Sequence, residues 1–361
     1  MDNNDLTSLQ ALPEVISAEL LEKLKELYDI DKISLIEKLP SQISDVFYLE
    51  FFDKKGKREV IFKIYSMIIN EADIRSEHLF LEHVSRKLHN ISVPVPLKNH
   101  YGATFFSFNN RFFSIFRFLE GSLGEEKNDE IVLLGEALSE YHETVSGLEI
   151  DFDVERCAWL SPMKPIYFIK KMTAIEKSEN IYSGYREMAG KAKEIYFNIA
   201  DNLKNLHYDR LERIIIHGDF HARNLLFKRI NSGKKITGIL DFSNVRMGSR
   251  VEDIACAIVP YSFYGYKKTG NSFINLKKTL EPLKIFIRSY QKNVKLSEEE
   301  MDVIPDLMRK RTVDMATFIL ILSYSHDKKG ESYTKIKNWL DFTDWIDYNK
   351  EKIVNYLKKR K

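Results

Sequence analysis

An α+β fold is what this 361-residue sequence predicts, with a small sheet-rich N-terminal part and a larger, mostly helical C-terminal part. Three observations lead there. Two pairs of strand-like runs, each joined by a polar turn, lie within about the first 120 residues. Helical periodicity dominates from residue 131 onward. The order helix, strands, helix, strands gives the first part a layer of each kind to bury against the other.

The elements follow in chain order. Residues 17–28 place Leu20, Leu21, Leu24 and Leu27 on one helical face. Residues 46–52 and 59–65 flank the polar turn Asp53-Lys54-Lys55-Gly56-Lys57, which is a hairpin signal. A helix over residues 71–88 ends before Val93-Pro94-Val95-Pro96, because proline disfavours helical geometry in the residue preceding it. Strand-like runs at 103–108 and 111–119 are separated by Asn109-Asn110. Beyond Glu120-Gly121-Ser122-Leu123-Gly124 the pattern turns helical, over 131–211 and again from about residue 271, with short strand-like pieces at 213–216 and 236–240. The expected organisation is an N-terminal lobe at 1–117, a connector at 118–124 and a helical lobe at 125–361.

Composition narrows the function classes. With 44% hydrophobic, 30% charged and 12% aromatic residues, the chain reads as an ordinary globular protein. A net charge of +2, from 55 basic and 53 acidic residues, leaves no clustered basic excess for a nucleic-acid partner. The basic Lys358-Lys359-Arg360-Lys361 reads as a solvated helix end. Cys157 and Cys256 stand alone, so no disulfide framework or paired-cysteine metal site can be drawn, and Cys256 sits in an apolar run expected to bury it. The acidic, polar opening Met1-Asp2-Asn3-Asn4-Asp5 lacks the features of a secretory signal, and the longest apolar runs are far short of a membrane span. A cytoplasmic location with no membrane partner is expected.

The chemistry concentrates in Ile216-His217-Gly218-Asp219-Phe220-His221-Ala222-Arg223-Asn224, where an Asp is followed five residues later by Asn. This is the spacing of a phosphotransfer catalytic loop. Asp219 can accept a hydrogen bond from an acceptor hydroxyl and aim it at a γ-phosphate, and the amide oxygen of Asn224 is a hard ligand for Mg²⁺. A second piece, Gly238-Ile239-Leu240-Asp241-Phe242-Ser243, ends an apolar strand in a carboxylate that suits the same Mg²⁺. In the sheet-rich part, Val60-Ile61-Phe62-Lys63 has the register of the strand whose lysine holds the α/β-phosphates. Period-2 alternation puts Ile61 on the same face as Lys63, where it can cover adenine. Glu77 in the following helix is placed to pair with Lys63, with Glu71 and Glu82 as rivals. The backbone at Arg117, Phe118 and Leu119 is expected to bond the base of ATP or GTP. The phosphate-covering turn falls near Pro40-Ser41-Gln42-Ile43-Ser44-Asp45, which has no glycine and leaves the role to Ser44 and backbone N–H groups.

These motifs resemble those of the aminoglycoside phosphotransferase and choline kinase superfamily. Its HGDxxxxN signature is matched at His217, Gly218, Asp219 and Asn224, and Met247 through Ala255 is similar to its segment after the metal-binding Asp. The resemblance implies a protein-kinase-like two-lobe fold, an acceptor site in the helical lobe, and a bracing role for Asp253. Residues 289–307 and 111–116 are more loosely similar to type II homoserine kinases. The implied reaction moves a γ-phosphoryl group from a nucleoside triphosphate to a hydroxyl of a small acceptor: an aminoglycoside or other antibiotic, or a homoserine- or choline-like amino alcohol. Set against this reading are a catalytically silent nucleotide-binding scaffold, favoured by the glycine-free turn, and a protein kinase, for which no A-P-E element follows Asp241. A metal hydrolase built on His217, Asp219 and His221 is the third rival. Acidic stretches at 120–130 and 149–155, and the aromatic Tyr261-Ser262-Phe263-Tyr264-Gly265-Tyr266, are weighed as acceptor walls against solvated or core faces.

Overall fold

A computed structural model describes residues 16–41, 44–146, 148, 165–231, 233–269 and 276–359. Cys157, the 149–155 acidic stretch, and Gln42 and Ile43 lie outside the described residues. The described residues fall into two compact units, one built from residues up to Gly121 with Leu148 and Thr237–Leu240, the other from the rest.

The first unit opens with α1 (Ala18–Tyr28), capped by the Ser17 hydroxyl, and its four leucines are buried. Strands β1 (Lys32–Leu39), β2 (Asp45–Asp53) and β3 (Gly56–Ile64) follow, then helix α2 (Glu71–Ser85) and strands β4 (Phe106–Phe108) and β5 (Arg111–Arg117). They form a five-stranded antiparallel sheet in the order β1-β2-β3-β5-β4. Gly56, at φ 110°, makes the β2–β3 turn that a side chain would strain. Asn109 and Asn110, at φ 46° and 59°, make the β4–β5 turn with the two left-handed residues that a tight hairpin needs. Phe47, Leu49, Val60, Phe62, Ile64 and Ile115 pack under the leucines of α1. That leaves Ile61 and Lys63 on the opposite face of β3. α2 starts with a reciprocal Asn70/Asp73 capping box, which fixes where its glutamates point.

A second buried group braces this unit. The Tyr65 hydroxyl lies 2.9 Å from His78 Nε2, and His78 Nδ1 lies 2.8 Å from Thr104 Oγ1. Burial first, and then the charges of Lys63 and Arg75, push the imidazole down to about 3. The folded chain therefore binds fewer protons than the unfolded chain between pH 6.5 and about 3. Stability from this group is complete above pH 6.5 and falls by up to about 1.4 kcal/mol per pH unit on acidification through that window. Urea unfolding of the full chain between pH 4.5 and 7.5 is expected to show a shallower acid slope for His78→Phe than for wild type.

The second unit contains β6 (Ser122–Leu123), α3 (Ile131–Ser146), α4 (Pro165–Glu176), α5 (Ser183–Asn205), β7 (Ile214–Ile216), β8 (Leu225–Ile230), β9 (Gly233–Ile239, whose end belongs to the first unit), β10 (Arg246–Gly248) and helices α6 (Val251–Thr269), α7 (Leu276–Tyr290), α8 (Glu298–Ser323), α9 (Tyr333–Tyr348) and α10 (Lys350–Lys358). One core joins Phe168, Tyr185, Met188, Val313, Leu320 and Leu340 from α4, α5, α8 and α9. Arg250 grips both oxygens of Glu300 at 2.6 and 2.8 Å, which ties the first turn of α8 to the residue before α6. Among the described residues no helix is long and apolar enough to cross a membrane.

Candidate active site

In the second unit, β7 and β10 pair antiparallel, and His217-Gly218-Asp219 leaves the end of β7. Gly218 sits at φ 78°, and a Cβ there would lie 2.2 Å from both Asn244 O and Arg246 Nη1, so only glycine fits. The loop is held from beneath by a buried carboxylate. Asp253 accepts the backbone N–H of His217 at 2.8 Å and of Gly218 at 2.7 Å. It also meets His142 Nε2 at 3.0 Å, and His142 Nδ1 meets the Tyr290 hydroxyl at 2.8 Å. Burial acts to raise the Asp253 carboxyl, but His142 and the backbone donor more than offset it and hold it below the usual carboxylate range.

Asp219 and Asn224 come together as their spacing predicts. A 3₁₀ turn over Ala222–Asn224 directs Asn224 Nδ2 to the backbone oxygen of Asp219 at 3.0 Å and to its Oδ2 at 3.3 Å. The amide oxygen of Asn224 then faces away from Asp219. His221 Nε2 lies 3.4 Å from Asp219 Oδ2. On the other oxygen sits a residue that the sequence analysis did not single out: Arg311 of α8 donates from Nη2 to Oδ1 at 2.7 Å. Burial works to raise the Asp219 carboxyl, yet Arg311 above all, then His221, hold it far below the usual range. No local signal marks Arg311, since 92 residues separate it from Asp219.

Asp241 adopts a left-handed conformation at φ 59°, which aspartate tolerates better than most side chains. Its Oδ1 accepts the Ser243 hydroxyl at 2.5 Å, and its Oδ2 has no protein partner among the described residues. The following turn is fixed by Arg246, which bonds Asn244 O at 3.0 Å and Glu252 at 2.7 Å. The Asn224 amide oxygen and Asp241 Oδ2 are thus two hard oxygen donors without a hydrogen-bond partner among the described residues. That set suits Mg²⁺, which takes few protein ligands and completes its shell with water and phosphate. It does not suit the transition metal of a hydrolase. Among the described residues no group of three His, Cys, Asp or Glu could hold a metal, and the His217 ring is buried against Phe220 and Phe242.

The first unit places its own candidates. Lys63 Nζ lies 3.1 Å from Glu77 Oε1, with the ammonium 4.5 Å from the centre of the Tyr65 ring. Helical phase decides which glutamate it meets: Glu77 is 5% exposed, whereas Glu71 is 57% exposed and pairs with Arg75. The Ser44 hydroxyl is buried without a hydrogen-bond partner among the described residues, and Ser41 Oγ bonds the Ser44 carbonyl at 2.6 Å. The backbone N–H of Arg117 donates to Val95 O at 3.0 Å, and among the described residues the N–H groups of Phe118 and Leu119 have no backbone acceptor. The Phe118 ring rests edge-on against Tyr48.

Other residues that the sequence marks have partners within the protein. Arg223 is exposed and pairs with Glu126, and Glu130 is sealed by Lys234 and by the backbone of Lys127. Phe263 stacks on Trp339 at 3.8 Å and Tyr266 packs on Phe342, so this aromatic run is largely core. Burial pushes the Cys256 thiol up to about 12, an inert state.

A family profile described as the phosphotransferase enzyme family matches residues 36–276, two thirds of the chain. The chain belongs to that family. As a member, it is a phosphotransferase acting on the hydroxyl of a small molecule, with a nucleotide as co-substrate. No curated protein matches it by sequence. Solved structures of phosphotransferases share its fold at low identity. An amicoumacin kinase in complex with AMP-PNP, Ca²⁺ and its antibiotic aligns with a TM-score of 0.67 at 18% identity, covering 90% of this chain and 93% of the other. A microcompartment-associated aminopropanol kinase aligns with 0.67 at 15% identity, covering 92% and 98%. A Plasmodium vivax ethanolamine kinase aligns with 0.58 at 14% identity, covering 86% and 82%. The α+β, protein-kinase-like fold of the phosphotransferase is therefore the shared scaffold.

Proposed function

We propose that this phosphotransferase moves the γ-phosphoryl group of ATP or GTP, in the presence of Mg²⁺, to a hydroxyl of an amino alcohol or of an antibiotic. The observation that carries the reading is the braced loop, in which Asp253 fixes the backbone that presents Asp219, with Asn224 folded back onto it. The kinases sharing the fold act on amicoumacin, aminopropanol and ethanolamine, which supports the acceptor class.

Asp219 accepts the acceptor's O–H through a remaining lone pair and aims the oxygen at the γ-phosphorus. A carboxylate held so far down is a weak base, so it orients the hydroxyl and takes up the proton only as the new O–P bond forms. Asn224 and Asp241 would hold Mg²⁺, which neutralises phosphate charge when bound. In the sheet-rich unit, Lys63, fixed by Glu77, would take the α/β-phosphates, Ser44 a phosphate oxygen, Ile61 the base face, and Phe118 and Leu119 the base edge. The N-terminal lobe (1–117), connector (118–124) and helical lobe (125–361) are assigned the nucleotide cover, the base contact and the acceptor, respectively. The cytoplasm, where the nucleotide is supplied, is the expected compartment.

The test is nucleotide turnover with Mg²⁺ across aminopropanol, ethanolamine, choline, homoserine, aminoglycosides, spectinomycin, macrolides and simple sugars. Acceptor-dependent turnover with one of the amines or antibiotics is the expected result. Mg-nucleotide binding with no turnover on any acceptor would favour the silent scaffold. Absence of nucleotide binding would overturn the reading.

A further inference from the structure

Asp219 shares its carboxylate with a cation whose remaining donors are unused. Arg311 makes one hydrogen bond, Nη2 to Asp219 Oδ1 at 2.7 Å, and its side chain is 18% exposed. The rest of its guanidinium N–H groups have no protein partner among the described residues, and none of its nitrogens is a buried, unsatisfied atom. Nearby cations are spent differently: Lys310 pairs with Asp314 at 3.4 Å, and Arg246 with Glu252 at 2.7 Å. An arginine that holds a carboxylate frequently pairs fork on fork, with two parallel bonds, as Arg250 does with Glu300. Here Asn224 Nδ2 and His221 Nε2 crowd Oδ2 at 3.3 and 3.4 Å, so Arg311 meets only one oxygen and keeps its other donors turned elsewhere.

The residue is also rigidly presented. Its neighbours Thr312 and Val313 are fully buried, Arg309 is locked to Asp306 at 3.0 Å, and the first turn of α8 is clamped by Arg250 and Glu300. A guanidinium carried on this fixed stretch of α8 and bonded to Asp219 faces the space around that carboxylate.

We infer that Arg311 is a further catalytic residue, whose free N–H groups bind the phosphoryl group as it arrives on the acceptor oxygen held by Asp219. The inference rests on the phosphotransfer reading above. The acceptor oxygen must lie within hydrogen-bond reach of the carboxylate that Arg311 already touches, and the γ-phosphorus must approach that oxygen to within about 3–3.5 Å. A lone pair of the acceptor oxygen forms the new O–P bond while the bond from phosphorus to the β–γ bridging oxygen breaks, its electron pair leaving on the nucleoside diphosphate. The hydroxyl proton passes to Asp219 and then to solvent. Arg311 is unchanged throughout; it offsets negative charge that would otherwise gather against Asp219.

Isothermal titration of the full chain with MgADP, alone and with aluminium fluoride as a mimic of the phosphoryl group in flight, tests this without an identified acceptor. Wild type should bind MgADP more tightly when fluoride is present. Arg311→Met should lose about 10- to 100-fold of that tightening while its affinity for MgADP alone stays within about twofold. Arg311→Lys should keep part of it, retaining the charge but not the planar fork; it carries the comparison if the Met variant melts early. Equal tightening in wild type and Arg311→Met would overturn the inference. So would a wild type that binds MgADP without tightening, or loss of both affinities in proportion. Failure of the phosphotransfer reading looks different, because the wild type would then not bind MgADP at all.

Discussion

Replacing Asp219 with asparagine is expected to lower kcat by about 10²–10⁴-fold while Mg-nucleotide affinity changes little. The substitution keeps the size of the side chain but removes its charge. The acceptor hydroxyl then loses the anion that orients it and receives its proton. Arg311 loses the charge it hydrogen-bonds and keeps only the more distant attraction of Asp314, and Asn224 Nδ2 comes to face an amide at a position where it now meets a carboxylate oxygen 3.3 Å away. Single-turnover rates with saturating nucleotide, read beside nucleotide affinity, separate these effects. A kcat within a factor of ten of wild type would remove Asp219 from its proposed role. The variant's folded state is checked by its melting temperature, since removing the charge leaves the largely buried Arg311 guanidinium without its bonded partner.

The second large effect is expected at Asp253, which touches no substrate in the proposed mechanism. Its carboxylate is fully buried and takes two backbone N–H groups and His142 at 2.7–3.0 Å. Asparagine there offers one acceptor oxygen and turns an amide donor toward the other backbone donor. Leaving buried donors without acceptors costs about 1–3 kcal/mol each, and breaking a buried charged network about 3–5 kcal/mol. Asp253→Asn should therefore unfold at markedly lower urea concentration. Its activity should fall even where it remains folded, because the His217-Gly218 backbone that aims Asp219 is no longer fixed. A variant with wild-type stability and turnover would show that the loop holds its shape without this brace.

Both expectations draw on contacts of different legibility. Asp219 with Asn224 was readable because five residues is a local spacing, and one tight turn brings such a pair together whatever surrounds it. The two hairpins were readable for a related reason: alternating apolar residues fix the register, and Gly56 and Asn109-Asn110 supply the left-handed turn residues. Strand β1 escaped notice. It lies at the sheet edge, its register shifts between Ile33 and Leu35, and most of its side chains reach solvent, so alternation is weak. The start of α6 was also hidden: residues Val251 to Val259 are buried nearly all round, and a helix without a polar face has no period to read.

By itself, then, the sequence determined the α+β class, the hairpins, the Asp219–Asn224 loop, the carboxylate at Asp241 and the candidate lysine at position 63. Each of these rests on residues a few positions apart, where backbone geometry alone sets the outcome. Only the tertiary structure decided that Glu77 meets Lys63, that His142, 111 residues from Asp253, completes the brace, and that Arg311 stands on Asp219. Those pairings depend on how helices pack and on the rotation at which each presents its side chains. That rotation follows from burying apolar surface across the whole unit, so no local pattern in the chain records it.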